Sequence, residues 1–285
     1  RFFGRGVQAD IAVLAPVALG EGDVPRGSAL EKRKDLLDAL AHLDEAGSLL
    51  APGEADLAAI REAVALAGDG GLFGSSSRER LRRALDTCEV LSRRHDCVVA
   101  NPPYMGSSSF GPFMSRWVKK GYPDVKSDLF SSFVVRMFDL AKDHGECGVM
   151  SPFVWMFIGS YEKLRNEIID NRTLTSLIQL EYSGFAGATV PICTYTFHNS
   201  FIKGYKGGYV RLSNFVGASV QAPKALEAIK NPDCGWFYRR DAETFRQIPG
   251  TPIAYWASDG LFDAFEAGPL DQKSPCEKRV RYGRQ

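Results

Sequence analysis

The chain has 285 residues, of which 45% are hydrophobic and 24% are charged, and its formal net charge is +1. This composition is typical of a globular protein with a sizeable core. It excludes a uniformly basic chain, so any nucleic-acid contact must depend on local positive charge. No apolar stretch is long enough to span a membrane, and the six cysteines lack a Cys-x-x-Cys pair or a nearby histidine that would complete a metal site. The sequence therefore predicts a cytoplasmic protein with reduced thiols, no metal and no membrane segment.

The N-terminal third of the chain is predicted to be mainly helical. An apolar run at 10–18 is consistent with a buried strand, and apolar residues at helical spacing predict helices over 29–43 and 54–67. Residues 74–77 are interpreted as a flexible joint before an arginine-rich helix over 78–91. The arginines of this helix either contact phosphates or form a solvated helix face.

Strands and helices alternate from residue 97 onwards. The pattern predicts a strand over 97–100 and a helix over 129–141 that is capped by Ser127 and stopped by Gly145. A strand (148–151), a helix (161–171) and a strand (174–180) follow, and strands at 192–199 and 209–212 are predicted to pair as a hairpin. This alternation predicts an α/β fold with a parallel or mostly parallel sheet and helices on its faces.

The loop directly after the strand at 97–100 has an unusual composition, Asn101-Pro102-Pro103-Tyr104. Ligands bind at the carboxyl ends of the strands in an open α/β sheet, and two prolines stiffen the loop and remove two backbone donors. The Asn101 side chain and the Pro102 carbonyl group would accept the two hydrogens of a purine amino group, while Tyr104 would stack on the flipped base. The loop thus predicts methylation of an amino group. The alternative is a rigid turn with Asn101 as a cap and Tyr104 in the core.

Residues 98–106 resemble the catalytic motif of amino-group DNA methyltransferases that use S-adenosylmethionine. Together with the segments 127–130, 148–152 and 185–191, they resemble the PglX methyltransferases of BREX phage-defence systems. The resemblance implies a Rossmann-like S-adenosylmethionine-dependent methyltransferase fold and methylation of adenine N6 in double-stranded DNA. It further implies a role in phage defence or restriction-modification self-marking, with other phage-defence proteins as partners. In that family a phenylalanine stacks on the adenine opposite the tyrosine, and Phe185 holds the matching place; an ordinary core position is the alternative for Phe185.

The same resemblance implies a glycine-rich cofactor loop before the catalytic motif, and this chain has none. We therefore assign no residue to cofactor binding, and we interpret the chain as part of a longer protein to which the family activity applies. The predicted division is a remnant of the cofactor-side half with a helical insertion (1–96), a catalytic half (97–203) and the start of a target-recognition region (204–285).

Two lysines after the catalytic motif, Lys119 and Lys120, lie between Trp117 and Tyr122. They either contact the DNA backbone or form a solvated turn. Two alternative functions also stay open: a non-catalytic DNA-binding or assembly remnant, and methylation of an RNA base or of a protein glutamine amide.

Overall fold

The structure is a computed structural model that describes residues 11–20, 22–67, 74–182, 184 and 190–266. The chain divides into two compact units, one formed by Arg1–Val98 and Pro102–Cys147 and the other by Val99–Asn101 and Gly148–Gln285. Within the described ranges, no helix is long and apolar enough to cross a membrane.

The first unit begins with four helices: α1 (Lys34–Ala41), α2 (Leu43–Ala46), α3 (Glu54–Leu66) and α4 (Gly74–Ser92). Their buried apolar faces meet in one core that includes Leu40, Ile60 and Leu81. Within a helix the buried residues recur at helical spacing, as at Leu57, Ile60 and Ala63 of α3, because only one face of the helix is covered. The helices predicted over 54–67 and 78–91 are confirmed as α3 and α4, whereas the segment predicted as one helix over 29–43 is divided into a 3-10 helix (Ala29–Lys32), α1 and the beginning of α2.

Two predictions for this region are wrong. Residues 11–18 form no strand: Ile11 and Val13 are 81% and 84% exposed, and Val17 packs into the helical core instead. Residues 74–77 are the first turn of α4 rather than a flexible joint. This turn is held in place because the Ser77 hydroxyl group donates to Asp23 Oδ1 over 2.6 Å, and Arg80 of the same helix pairs with that carboxylate.

The rest of the first unit contains the start of β1 (His95–Ala100), α5 (Pro112–Gly121), α6 (Leu129–Leu140) and the start of β2 (Ala141–Pro152). Asp128 rather than Ser127 caps α6, because the Asp128 side chain accepts a hydrogen bond from the Phe130 amide. Gly145 does not stop the helix but lies within β2. A Cβ atom there would lie 3.0 Å from the Lys142 carbonyl oxygen and 3.2 Å from that of Asp96, so glycine permits a close backbone approach.

The second unit is built on β3 (Thr173–Gln179), β4 (Ile192–His198), β5 (Lys206–Arg211) and β6 (Phe237–Asp241). The strand order of the described sheet is β1-β2-β4-β3-β5-β6. β3 is antiparallel to β4 and parallel to β5, while β5 is antiparallel to β6. Helices α7 (Glu162–Asn171), α8 (Ala218–Lys230) and α9 (Asp259–Glu266) complete the unit. The predicted α/β class, with a sheet and accompanying helices, is confirmed, but this part of the sheet is mixed rather than mostly parallel.

β4 and β5 do not form the predicted hairpin, because β3 lies between them. The connection after β4 passes the beginning of β3 and is held there by Thr173. The hydroxyl group of Thr173 donates to the Ser200 carbonyl oxygen over 2.7 Å and accepts from the Ile202 amide over 2.8 Å. A connection fixed in this way places β5 on the far side of β3.

Candidate active site

The Asn101-Pro102-Pro103-Tyr104 loop begins where β1 ends, and it has no regular secondary structure. The boundary between the two units falls between Asn101 and Pro102. Asn101 is exposed at the end of β1 in the second unit. In the first unit, Pro102 is buried, Pro103 is exposed and Tyr104 is half-buried. A buried proline ring gives this part of the loop a fixed anchor, since proline has little backbone freedom.

The residues that follow Tyr104 are fastened to the start of α6. The Leu129 amide donates to the Met105 carbonyl oxygen over 2.9 Å, and the Ser107 amide donates to the Ser127 carbonyl oxygen over 3.0 Å. Gly106 and Asp128 form an antiparallel β-bridge between these two hydrogen bonds. The backbone on the carboxyl side of the loop is thus fixed by a short piece of paired structure.

The Asp128 side chain adds a second attachment. Its Oδ1 atom accepts from the Met105 amide and from the Phe130 amide, each over 3.2 Å, so one oxygen both holds the loop and caps α6. Burial raises the pKa of Asp128 above its ordinary value, although the backbone hydrogen bonds act in the opposite direction. Sequence reasoning missed this role. An aspartate directly before an apolar helix is a recognisable cap signal, but its bond to Met105 spans 23 residues and has no local signature.

α6 is in turn fastened to the N-terminal helices by Arg136, whose side chain is buried. Its guanidinium group donates to the carbonyl oxygens of Ser48, Leu50 and Leu91 over 2.9, 3.0 and 2.5 Å. A buried cation needs hydrogen-bond acceptors, and these three satisfy the Nε and Nη2 hydrogens, while Nη1 lies 3.8 Å from Asp139 Oδ2. The support of the loop therefore reaches through α6 to the helical core.

The two lysines predicted to contact DNA lie in the last turn of α5 and not in a loop. Both side chains are exposed. Lys120 forms an ion pair with Asp35, with 2.6 Å between Nζ and Oδ2. Lys119 has no carboxylate partner among the described residues, so its charge is the less compensated of the two.

Phe185, the predicted second stacking residue, lies outside the described residues. Where the structure does describe the chain, no group of three or more His, Cys, Asp and Glu side chains is arranged to hold a metal ion. The five described cysteines are not paired in disulfides.

Comparison with known proteins places the loop inside a recognised segment. Residues 74–185 match the family of Eco57I restriction-modification methylases. The chain is 33% identical over 181 residues to the adenine-specific methyltransferase PglX of Lacticaseibacillus casei (strain Zhang), a match covering 62% of this chain and 15% of the relative. It is 31% identical over 226 residues to the adenine-specific methyltransferase BrxX of Escherichia coli O9:H4 (strain HS), covering 77% and 18%. The predicted resemblance is confirmed, and the chain spans less than a fifth of either relative.

Among solved structures, the type IIG restriction endonuclease BpuSI aligns with 62% of this chain and 22% of its own chain, at 13% sequence identity and a TM-score of 0.42.

Proposed function

Because this chain carries a segment of the Eco57I methylase family and is similar to the adenine-specific methyltransferases PglX and BrxX, we propose that it is part of a DNA methyltransferase. The proposed reaction transfers a methyl group from S-adenosylmethionine to the N6 amino group of adenine in double-stranded DNA. The observation that carries the proposal is the Asn101–Tyr104 loop, which follows β1 and lies inside the matched segment. The proposed role of the whole protein is phage defence or self-marking in the cytoplasm, with other phage-defence proteins as partners.

The chemistry assigned to the loop is the activation of a weak nucleophile. The lone pair of the adenine amino group is delocalised into the ring. Hydrogen bonds from its two hydrogens to the Asn101 side-chain oxygen and the Pro102 carbonyl oxygen would favour a pyramidal nitrogen with a directed lone pair. The nitrogen loses its extra proton during or after transfer, so positioning and preorganised dipoles supply the acceleration without a strong base.

The loop suits the base side of this reaction rather than the cofactor side. Asn101 and Pro102 offer acceptor oxygens, which match the hydrogens of an amino group, and Pro102 and Pro103 have no amide hydrogen that would compete for them. S-adenosylmethionine would supply an electrophilic methyl group. We assign no residue of this chain to hold it.

Stacking is assigned to Tyr104 and, from the family resemblance, to Phe185. Extrusion of a base from the duplex costs a few kcal/mol, and stacking on aromatic rings recovers part of that cost. Tyr104 is half-buried, so its ring is partly accessible while its backbone is anchored through Met105. An anchored backbone loses less conformational freedom when the base arrives.

The test of the proposal is the Asn101→Ala variant of the full-length protein. Single-turnover transfer of a labelled methyl group to a DNA duplex is measured together with DNA affinity. We expect transfer to fall by on the order of a hundredfold or more, as for loss of other preorganised hydrogen-bonding groups, while affinity changes little because phosphate contacts dominate it.

The matched control is Asn231→Ala, which removes an exposed asparagine of the same unit, at the end of α8. Mass spectrometry of the digested DNA identifies the methylated atom. Methyl transfer by Asn101→Ala within about tenfold of the wild-type rate would contradict the role of the loop. A wild-type product methylated on cytosine, on RNA or on a protein amide would contradict the proposed substrate.

A further inference from the structure

Arg211 lies at the carboxyl end of β5 in the second unit. β5 is parallel to β3, and Arg211 pairs with Gln179, the last residue of β3. Both strands therefore end at the same edge of the sheet, and this is the kind of edge at which open α/β sheets bind ligands. The segment after β3 leads within six residues to Phe185, the proposed stacking residue.

The side chain of Arg211 is half-buried but weakly compensated. Its Nε atom donates to the Ser213 hydroxyl oxygen over 3.2 Å, and the guanidinium carbon lies 4.4 Å from the centre of the Trp256 ring. These are its contacts within the described chain, and neither partner carries a negative charge. No acceptor among the described residues is bonded to the two terminal nitrogens, which form a planar pair of donors.

This environment differs from that of the other described arginines of the second unit. Each of them donates to a carboxylate or to a backbone carbonyl oxygen: Arg165, Arg172, Arg239, Arg240 and Arg246. Removing a charge from water without such a partner is unfavourable. An anion bound from outside the chain would compensate Arg211.

The surroundings indicate which anion fits. Phe157 meets Trp256 edge to face, with 5.6 Å between the ring centres, and Phe157 is 36% exposed. Apolar surface next to a planar pair of donors suits a sugar-phosphate unit, in which the phosphate takes the two hydrogen bonds and the deoxyribose packs beside the rings.

Trp256 is held in position by its neighbour. The Tyr255 hydroxyl group donates to Gln179 Oε1 over 2.7 Å in the core. The Tyr255 ring stacks on Tyr209 with 4.9 Å between the ring centres. The aromatic support of Arg211 is therefore preorganised, which reduces the entropy lost on binding.

We propose that Arg211, stacked on Trp256, binds a backbone phosphate group of the DNA substrate. The assignment rests on the proposed function, since it takes DNA as the ligand. It adds a contact at the β3–β5 edge of the second unit to the lysines of α5.

The test compares Arg211→Gln with Arg239→Gln in the full-length protein. Both changes remove one positive charge from the second unit, but Arg239 is exposed and contacts the Lys206 carbonyl oxygen over 3.2 Å. Affinity for a DNA duplex is measured over a series of salt concentrations. We expect Arg211→Gln to weaken binding about tenfold or more and to reduce the slope of log K against log salt by about one. Arg239→Gln should leave the slope unchanged.

Duplexes that carry a neutral methylphosphonate at one position identify the contact. One such substitution should weaken binding by the wild-type protein but not by Arg211→Gln. Arg211→Lys, which keeps the charge, should retain the slope and lose part of the affinity, and it serves if the glutamine variant does not fold.

Equal affinity and slope in wild type and Arg211→Gln would overturn the assignment. So would an unchanged slope with altered base preference, which would indicate a base-edge contact instead. These outcomes are separate from the proposed function, because binding is measured without methyl transfer. If the wild-type protein binds DNA through Arg211 but does not methylate it, the proposed methyltransferase activity is contradicted, while the proposed phosphate contact of Arg211 stands.

Discussion

Replacing Asp128 with alanine tests how the loop after Tyr104 is held. The change removes the oxygen that accepts from both the Met105 and the Phe130 amides. Loss of a helix cap costs about 0.5–2 kcal/mol, and an amide left without its acceptor costs about 1 kcal/mol when water can partly reach it, as at the half-buried Met105. The backbone hydrogen bonds of Leu129 and Ser107 remain. We therefore expect local stability to fall by about 1.5–3 kcal/mol without loss of the fold.

Amide hydrogen exchange of residues 104–107 and 128–134 measures this effect locally. Asp128→Ala should speed exchange in both segments by about 10-fold to 150-fold, which corresponds to about 1.5–3 kcal/mol. Asp128→Asn keeps an acceptor oxygen and should leave exchange near the wild-type rate. Ser127→Ala is the matched control, because no hydrogen bond of the described structure uses its hydroxyl group. Wild-type exchange in Asp128→Ala, or equal acceleration by Ser127→Ala, would refute the reasoning.

The charge of Asp128 adds a dependence on pH. Burial raises its pKa above the ordinary value of 3.8, so the folded state holds the proton more tightly than the unfolded state. Stability therefore decreases as the pH rises from 3.8 to the raised pKa. Asp128→Asn lacks this loss, so its stability relative to wild type should be higher at pH 7 than at pH 3, as measured by urea unfolding.

Two further predictions concern base stacking and DNA contacts. Tyr104→Ala and Phe185→Ala should each slow single-turnover methylation by about tenfold to a hundredfold, whereas Tyr104→Phe should have a mild effect. A mismatch at the target should partly rescue both alanine variants, and fluorescence of 2-aminopurine at the target position reports the extruded base. A wild-type rate in Phe185→Ala would remove that residue from the site. Lys119→Gln should weaken DNA binding and reduce the slope of log K against log salt more than Lys120→Gln does, because Asp35 already compensates Lys120. Equal slopes in wild type and Lys119→Gln would place the α5 lysines outside the DNA contact.

The sequence by itself located the proposed catalytic loop. The apolar run of β1 and the two prolines after it are local features, and each acts on the backbone where it occurs. The same holds for α3, which was predicted over 54–67 and spans Glu54–Leu66, because its apolar residues repeat at helical spacing. Local propensity and burial of one face are sufficient to specify such elements.

Only the tertiary structure decided which distant segments meet. The apolar pattern of β4 and β5 is compatible with a hairpin, yet Thr173 holds their connection beside β3, which separates them. Periodicity reports that a strand has a buried face but not which strand lies next to it. The bond between Asp128 and Met105 and the stacking of Arg211 on Trp256 have the same character. Each depends on groups far apart in the chain, whose contact is set by the packing of the whole unit and has no signature at either position alone.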